Sequence, residues 1–330
     1  MSETVFRLAQ PQEAQTIIDF VNTHFDWKLP LINRREYFDF YYRPTANALQ
    51  FAVAEQAGEY LAVAGYIRAS KETQSDIWVS VWVAKKGSNG VGLELMNALP
   101  GLTGAKLVAC NNIRHKTMAL YHFLGWSAER LPHYYRLNGQ VSYRLAQVQD
   151  ATILPVAGDL GLEPVSSPNQ LEELGLPATP HTPRKDTWYL CRRYFAFPHQ
   201  SYQVYAARQE GKLLAYVVLR LADSGQGTAL RMVDFIGADE ILPRLGKALD
   251  SLLVESGAEY LDCYCAGIPE EIFTQAGFSP RREDCPNILP NYLNPPLLEN
   301  TEYYYFTNQP EQFVLFKADG DQDRPNLPAE

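Results

Sequence analysis

The chain carries the same order of predicted secondary-structure elements twice, roughly 150 residues apart. Each copy consists of a hairpin, a strand, a helix, another strand and a short helix, followed by Gly125-Trp126 in the first copy and Gly277-Phe278 in the second. Self-similarity at a fixed spacing indicates an internal duplication. Since 330 residues exceed the usual size of one domain, we predict two tandem domains.

Hydrophobic periodicity places the elements of both copies. In the first copy the predicted strands are 49–56, 60–68, 76–83 and 105–110, with closing strands within 133–145, and the predicted helices are 91–99 and 117–124. In the second copy the strands are 202–208, 212–222, 229–236 and 258–265, and the helices are 239–255 and 269–276. Hairpins combined with strand–helix–strand units predict an α/β fold, an α+β arrangement with mixed sheets.

Changes in composition suggest where the domains begin and end. Six prolines between residues 151 and 183 predict a linker at 148–185, which separates a first domain, 1–147, from a second, 186–298. Residues 299–330 hold seven acidic residues against two basic ones. We expect this acidic C-terminal tail either to be solvated or to dock its aspartates onto Arg or Lys side chains.

The composition excludes several classes of protein. Hydrophobic residues make up 46% of the chain, so the chain as a whole is not disordered. The net charge of −9, with no basic patch, argues against a nucleic-acid partner. No apolar run is long enough to span a membrane and no signal-peptide pattern is visible, so we expect a cytoplasmic protein without membrane insertion.

Cysteine and aspartate patterns give little support for a metal site. The five cysteines are odd in number and irregularly spaced, which fits reduced thiols, and Cys263 and Cys265 lack the second pair that a zinc site requires. The run Asp319–Asp323 resembles a calcium loop, but its sixth position is Arg324 instead of glycine. We therefore predict no metal.

A glycine-bearing loop in the first copy has the properties of an anion site. Gly90 and Gly92 would let backbone N–H groups approach an anion closely, and the helix that opens behind them adds its positive dipole end. The strand before the loop offers its backbone edge for pairing with a ligand. The sequence therefore predicts an anion site at this loop.

Three segments of the first half carry a family resemblance: Val81–Met96, Lys106–Asn112 and Thr117–Trp126. In order and spacing they resemble the strand, pyrophosphate loop, helix and "Ala-x-x-Leu-Tyr-x-x-x-Gly-Phe" segment of the GNAT family of acyl-CoA N-acyltransferases. The resemblance covers residues 1–145. It implies two tandem GNAT-like domains, with the second degenerate.

The resemblance also implies a co-substrate and a catalytic group. The co-substrate would be acetyl-CoA or another acyl-CoA, and Tyr121 would protonate the departing thiolate. The residues implied to bind the cofactor are Val81, Trp82, Val83, Lys86, Gly87, Ser88, Asn89, Gly90, Val91, Gly92 and Asn112.

The first half departs from the family pattern at two places. Gly87 stands where the family has Arg or Gln, although Lys85 and Lys86 are near enough to supply charge. The strand 76–83 lacks the mid-strand acid that serves many relatives as general base, since only Asp76 is present, at its start. The base would then act through water, come from elsewhere in the chain, or be unnecessary for a neutral amine.

The second half lacks the residues that would carry the same chemistry. Its loop, 237–243, has one glycine and two acids, which would repel pyrophosphate, and Phe273 stands at the position of Tyr121. We expect acyl-CoA in the first domain only. Asp234, between two apolar residues of a strand, is a second candidate catalytic residue. The alternatives are a structural ion pair with Arg231 and a cap on a hydrogen-bond network.

The acceptor and the alternative functions follow from further resemblances. Segments 185–194, 287–292 and 317–326 are similar to tandem GNAT proteins associated with bacterial surface-polysaccharide loci, which implies an amino sugar or sugar nucleotide as the small-molecule amine acceptor. One alternative is a non-catalytic binding or scaffold protein. Another is an aminoacyl transferase of the FemABX type, although its tRNA-linked donor suits an acidic chain poorly. The oligomeric state stays open.

Overall fold

The structure, a computed structural model, describes residues 3–88, 90–325 and 327. The strands of the first half are β1 (Val5–Leu8), β2 (Phe51–Gln56), β3 (Glu59–Arg68), β4 (Ile77–Ala84), β5 (Val108–Asn111), β6 (Ser127–Arg130) and β7 (His133–Leu137). Its helices are α1 (Ala14–His24), α2 (Pro30–Asn33), α3 (Arg35–Tyr42), α4 (Val91–Thr103) and α5 (Met118–Phe123).

The second half repeats this series and adds a C-terminal extension. Its strands are β8 (Glu163–Val165), β9 (Gln203–Gln209), β10 (Lys212–Asp223), β11 (Thr228–Gly237), β12 (Tyr260–Ala266), β13 (Ser279–Pro280), β14 (Tyr304–Thr307) and β15 (Leu315–Phe316). Its helices are α6 (Pro168–Leu174), α7 (Thr187–Phe195), α8 (Gly246–Ser256) and α9 (Glu270–Gln275).

Two mixed sheets form the framework, and both have the same strand order. The first sheet runs β1-β2-β3-β4-β5-β14-β6, and the second runs β8-β9-β10-β11-β12-β7-β13, with β15 added on β12. In each sheet the fourth and fifth strands are parallel, and the pairs before them are antiparallel. The equal order confirms the predicted α/β fold with mixed sheets and two similar halves.

The two halves exchange one strand. β14, from the segment predicted as a tail, lies between β5 and β6 of the first sheet, and β7, from the range predicted as the first domain, lies between β12 and β13 of the second. The sheets therefore do not follow the sequence boundaries at residues 147 and 298. Each exchanged strand satisfies backbone N–H and C=O groups that would otherwise be exposed along two strand edges.

Two predicted segments differ in detail from the structure. The predicted linker contributes β8, which pairs with β9, and α6, whose first turn is capped by the Ser167 hydroxyl accepting from the Gln170 N–H at 3.2 Å. The predicted helix 239–255 divides into a 3₁₀ segment, Asp239–Leu245, and α8. Pro243 explains the division, because proline has no N–H to donate within an α-helix.

Beyond β14, the C-terminal segment (residues 313–325) is docked between the halves rather than solvated. Arg220 pairs with Asp323 at 2.6 Å and Lys185 pairs with Asp319 at 2.6 Å. The largest apolar core contains Trp78 of β4 and Tyr189 of α7, whose ring centroids are 5.3 Å apart, so both halves share it. Within the described residues, no helix is both long and apolar enough to cross a membrane.

Candidate functional site

The first sheet opens between its parallel strands. β4 and β5 pair at two positions only, Ile77 with Val108 and Trp78 with Ala109. A bulge in the β3–β4 ladder, where Gly65 faces Val81 but Tyr66 faces Val79, bends β4 at this point. Beyond Trp78, β4 forms no further ladder pair with β5 in the described residues, and we call the space between these two strand edges the first gap.

The predicted anion loop lies at the end of β4, next to the first gap. Gly87 and Gly90 adopt left-handed backbone conformations, with φ of 89° and 82°, and a Cβ at Gly87 would meet no atom within 4 Å. Gly90 precedes α4, whose N-terminus therefore faces the loop. Lys86 is exposed, whereas Lys85 pairs with Glu59 at 3.2 Å. Asn89 lies outside the described residues.

Gly92 has a different role from the other two glycines. A Cβ at this position would lie 3.0 Å from the Ala84 Cβ and 3.3 Å from Trp82 Nε1, so the glycine lets α4 pack against β4. The Trp82 Nε1–H donates to the Gly92 carbonyl at 3.1 Å. The glycine requirement here arises from packing and does not depend on a ligand.

The predicted residues of β4 divide between the two faces of the sheet. The Trp82 indole packs on the face of α4 and α5, with its ring centroid 6.3 Å from that of Tyr121. Val81 and Val83 belong to the core on the opposite face. The side chains of these three residues therefore do not face one ligand together. A ligand in the first gap would contact these residues through their backbone groups, along the edge of β4 that faces the gap.

Tyr121 is held on α5 beside the first gap. Its side chain is 4% exposed, and its ring stacks on that of Phe306, from β14, at 4.1 Å. Burial, with a smaller effect of Cys110, raises the pKa of Tyr121. The phenol therefore stays protonated at neutral pH, which is the state that a proton donor requires.

The equivalent gap in the second sheet is filled by the chain itself. β11 and β12 pair at three positions, and β11 has a bulge like that of β4, opposite Val218 and Leu219. Beyond it, β15 pairs with β12, and the Ala318 N–H donates to the Val233 carbonyl of β11 at 3.1 Å. The C-terminal segment thus occupies the place at which a ligand would meet these strand edges.

Asp234 lies in a buried charge cluster at the junction of the halves. Its side chain is fully buried, and its carboxylate accepts from Lys185 Nζ at 2.7 and 2.8 Å and from the Tyr194 hydroxyl. Arg231, the partner suggested by the sequence, instead donates to Asn291 Oδ1 at 2.6 Å. The structure does not bring Asp234 into contact with Tyr121, and its described contacts are those of a structural ion pair.

The C-terminal segment also crosses the first gap, on the face opposite Tyr121. Gly320 lies against Trp78 of β4, since a Cβ on the glycine would be 3.2 Å from the Trp78 Cβ. At the other side, Asn112 Nδ2 donates to Gln322 Oε1 at 3.2 Å. Asp321 lies between these contacts, and its charge contributes to raising the pKa of the buried Cys110 thiol, although burial is the larger cause.

Asp321 is the acidic residue that sequence reasoning did not place at the site. From the sequence, the Asp319–Asp323 run is predicted only to dock onto basic side chains, and it resembles a calcium loop. In the structure Asp319, Asp321 and Asp323 pair with Lys185, Arg324 and Arg220, respectively. Among the residues that the structure describes, no group of three or more His, Cys, Asp or Glu side chains is placed to hold a metal.

Two clefts lie near the junction of the halves. One, of about 440 Å³, is lined by residues 176–179 and 181–185 together with Phe235, Ile236 and Val314, beside the filled second gap. The other lies between α3 and α7, with Gly320 among its lining residues. The cleft between α3 and α7 is therefore the one next to the first gap.

Comparison with known proteins identifies the fold. No protein-family model and no curated protein matches the sequence. A GCN5-related N-acetyltransferase from Anabaena variabilis matches with a TM-score of 0.53 at 10% identity, covering 92% of this chain and 72% of that one. A probable N-acyltransferase from Enterococcus faecalis matches with a TM-score of 0.54 at 12% identity, covering 93% and 72%. The chain therefore shares the fold of GCN5-related N-acetyltransferases.

Proposed function

We propose that the protein is an N-acyltransferase that binds acetyl-CoA, or another acyl-CoA, in its first half and acylates a primary amine of a small molecule. One observation carries the proposal. The first gap has the loop, helix N-terminus and tyrosine of an acyl-CoA site, whereas the second gap contains β15 and Ala318 of the chain itself. Among the described residues, no strand of the C-terminal segment pairs with β4 or β5 at the first gap, which supports the first half as the place of the co-substrate.

The chain's own groups suit the parts of an acyl-CoA. Backbone groups of β4 beyond Trp78 face the gap and are free to pair with the amides of the pantetheine arm. The N-terminus of α4, the open loop at Gly87 and Gly90, and the exposed Lys86 together favour a pyrophosphate. Ser88 and Val91 hold the shape of this turn, since their N–H groups donate to the Lys85 and Ser88 carbonyls at 3.2 and 3.3 Å.

Tyr121 and Asp321 provide a proton donor and a proton acceptor on opposite faces of the gap. In the transfer, the amine nitrogen forms a bond to the thioester carbonyl carbon and the carbon–sulfur bond breaks. Asp321 takes the proton that the amine loses, and Tyr121 supplies the proton that the thiolate gains. Asp321→Asn should lower turnover and leave acetyl-CoA affinity unchanged; unchanged turnover would remove Asp321 from this role.

The acceptor and the location of the protein are part of the same proposal. The family resemblance favours an amino sugar or sugar nucleotide. A net charge of −9 disfavours nucleic acid. All five cysteines are free thiols, which fits a reducing cytoplasm.

Isothermal titration of the purified protein with acetyl-CoA tests the proposal. Lys86→Glu should weaken binding roughly tenfold, since it replaces an exposed cation beside the loop by an anion. Lys247→Glu makes the same charge change on α8 of the second half and should have no effect. Absence of binding, or equal binding by both variants, would contradict the assigned site.

A non-catalytic binding protein is the second candidate. Glu94 favours it, because its Oε1 atom lies 3.7 Å from the Cβ position of Gly90 and so places an anion beside the loop. The Trp82 indole also occupies part of the face on which a pantetheine arm would lie. If acetyl-CoA fails to bind, this candidate replaces the transferase.

A further inference from the structure

The larger of the two clefts has no part in the proposed acyl transfer. It holds about 440 Å³ and lies between the connection of α6 to α7 (residues 175–186), the end of β11 and Val314. Small-molecule sites commonly occupy about 300–1,000 Å³, so this cleft has room for a compact organic ligand.

Backbone hydrogen bonds fix two walls of the cleft. The Thr182 N–H donates to the Gln312 carbonyl and the Val314 N–H donates to the Thr182 carbonyl, each at 2.9 Å. On the other side, Phe235 and Ile236 belong to β11, which pairs with β10 along this stretch. A ligand would therefore bind without the cost of ordering these backbone segments.

The cleft belongs to the second half of the molecule. β11 holds the place in the second sheet that β4 holds in the first. β15 and Ala318 fill the space between β11 and β12, but the cleft beside them remains open. The second half therefore has an open site even though its own chain occupies the gap between its parallel strands.

Most of the cleft wall is apolar. Seven of its twelve lining residues have apolar side chains, among them Leu176, Pro177, Phe235 and Ile236. Leu176 is 46% exposed, so its apolar surface is available to a ligand. Covering such surface is favourable in water, and the wall therefore favours a ligand with an apolar body.

None of the twelve lining residues is acidic, and three are basic: His181, Arg184 and Lys185. Lys185 is already neutralised. Its Nζ atom has three N–H groups, and three carboxylate oxygens lie within 2.8 Å of it, two from Asp234 and one from Asp319. Lys185 therefore has no donor left for a ligand.

Of the other two basic residues, His181 is paired and Arg184 is not. His181 Nε2 lies 2.5 Å from Asp239 Oδ1. The Arg184 backbone N–H donates to Asp76 Oδ2 at 3.3 Å, but its guanidinium forms no hydrogen bond or ion pair with the residues that the structure describes. Arg184 is also exposed, so a ligand reaches it from solvent.

An unpaired arginine beside an apolar wall favours an anionic group attached to an apolar body. A single free cation matches the single charge of a carboxylate, whereas a phosphate monoester carries about −1.5 to −2 at neutral pH. Thr179 supplies a further donor, because its Oγ1 accepts from the His181 N–H at 3.2 Å and its own proton is given to no described residue.

We propose that this cleft binds a small amphipathic monocarboxylate. Its apolar body lies against Leu176 and the end of β11, its carboxylate pairs with Arg184, and Thr179 donates a hydrogen bond to it. The binding does not depend on the proposed acyl transfer, since the cleft is lined neither by Tyr121 nor by Lys86.

Calorimetric titration with three probes tests the class of ligand. Octanoate has an apolar chain and a carboxylate, octylammonium has the same chain with the opposite charge, and acetate has the carboxylate without the chain. Octanoate should bind at least tenfold more tightly than acetate, because its chain buries apolar surface. It should bind at least threefold more tightly than octylammonium, because only the carboxylate pairs with Arg184. Failure of octanoate to bind, or equal binding of octanoate and either other probe, would overturn the proposal.

Two variants with matched controls locate the ligand. Arg184→Gln should weaken octanoate binding at least threefold, whereas Arg144→Gln, at an exposed arginine outside the cleft, should not. Leu176→Asp places an anion in the apolar wall and should weaken binding at least tenfold. Leu297→Asp is its control, since Leu297 is 44% exposed and lies outside the cleft. All four residues are exposed, so the variants should retain the wild-type unfolding temperature. Octanoate binding that neither cleft variant weakens would place the ligand elsewhere and overturn the proposal.

The outcome is separable from that of the proposed function. Lys86→Glu, which should weaken acetyl-CoA binding, should leave octanoate binding unchanged. Octanoate binding that Lys86→Glu weakens and Arg184→Gln does not would place the carboxylate at the first gap and overturn the proposal. Octanoate binding without acetyl-CoA binding would retain the cleft and reject the transferase, and the converse result would reject the cleft and retain the transferase.

Discussion

The ring of Phe306 stacks on that of Tyr121 with centroids 4.1 Å apart, although the two residues come from opposite halves of the chain. The second half repeats the relationship, since Tyr134 of β7 stacks on Phe273 of α9 at 3.9 Å. In the strand ladders, Phe306 of β14 lies opposite Cys110 of β5, and Tyr134 of β7 lies opposite Cys263 of β12. These two pairs occupy equivalent positions in the two sheets. The strand exchange is therefore reciprocal, and the candidate catalytic tyrosine packs on a residue supplied by the other half.

Removal of the Phe306 ring should weaken the whole molecule. The side chain is fully buried, so Phe306→Ala should lower the free energy of unfolding by about 3–5 kcal/mol. Urea unfolding measures the change. Phe123→Ala, at a side chain 79% exposed, is the control and should change stability by less than about 0.5 kcal/mol. A similar small loss for Phe306→Ala would contradict the packing.

The fragment 1–147 should not fold alone. Without β14 it lacks the strand between β5 and β6, and its own β7 has no sheet to join. Circular dichroism and proteolysis of the isolated fragment should show no cooperative unfolding. Mixing it with fragment 148–330 should restore a folded complex, because the second fragment supplies β14 and receives β7. A cooperatively folded 1–147 fragment would show that the exchange is dispensable.

Asp234→Asn should lower the free energy of unfolding, whatever its effect on turnover. The substitution leaves the Lys185 ammonium deep in the protein with Asp319 as its remaining partner, and breaking a buried pair costs about 3–5 kcal/mol. A second substitution, Lys185→Met, in the Asp234→Asn background should recover part of the loss. Unchanged unfolding of Asp234→Asn together with lost turnover would restore Asp234 as a catalytic residue.

Tyr121→Phe should separate binding from chemistry. The ring and its packing on Phe306 remain, so acetyl-CoA affinity should stay within about twofold while turnover falls roughly 100-fold. Tyr134→Phe removes a tyrosine hydroxyl at the equivalent stack of the second half and should leave turnover unchanged. Equal turnover of Tyr121→Phe and the wild type would remove Tyr121 from the mechanism.

His133 should make the protein less stable in mild acid. Arg281 Nε donates to its Nδ1 at 2.8 Å, which assigns the ring proton to Nε2, facing Asp262 Oδ2 at 3.3 Å. Burial lowers the pKa of His133 below 6.5, although Asp262 opposes the shift. The unfolded chain then takes up a proton that the folded chain does not, so the free energy of unfolding should fall as pH drops below about 6.5.

Nitrogen-15 NMR of the histidine rings measures this directly. The His133 ring should remain neutral, with the proton on Nε2, at pH 6.5. A His133 pKa at or above 6.5 would contradict the assigned network.

Local features of the sequence were sufficient for most of the elements. The predicted strand 76–83 is observed at Ile77–Ala84, and the predicted helix 91–99 begins at Val91 and extends to Thr103. Periodicity reports which face of a segment is buried, and left-handed turns favour glycine, so both signals are available without knowing the neighbours. The duplication and the α/β fold were predictable for the same reason.

The tertiary structure alone decided which sheet receives each exchanged strand. The sequence of β14 does not specify the sheet that it joins, because a backbone ladder accepts any strand of suitable direction. The position of Asp321 at the first gap, far in sequence from β4, follows from how β14 and β15 are placed. The cleft between α3 and α7 likewise exists only once the two helices meet, because its lining residues are neighbours in space and not along the chain.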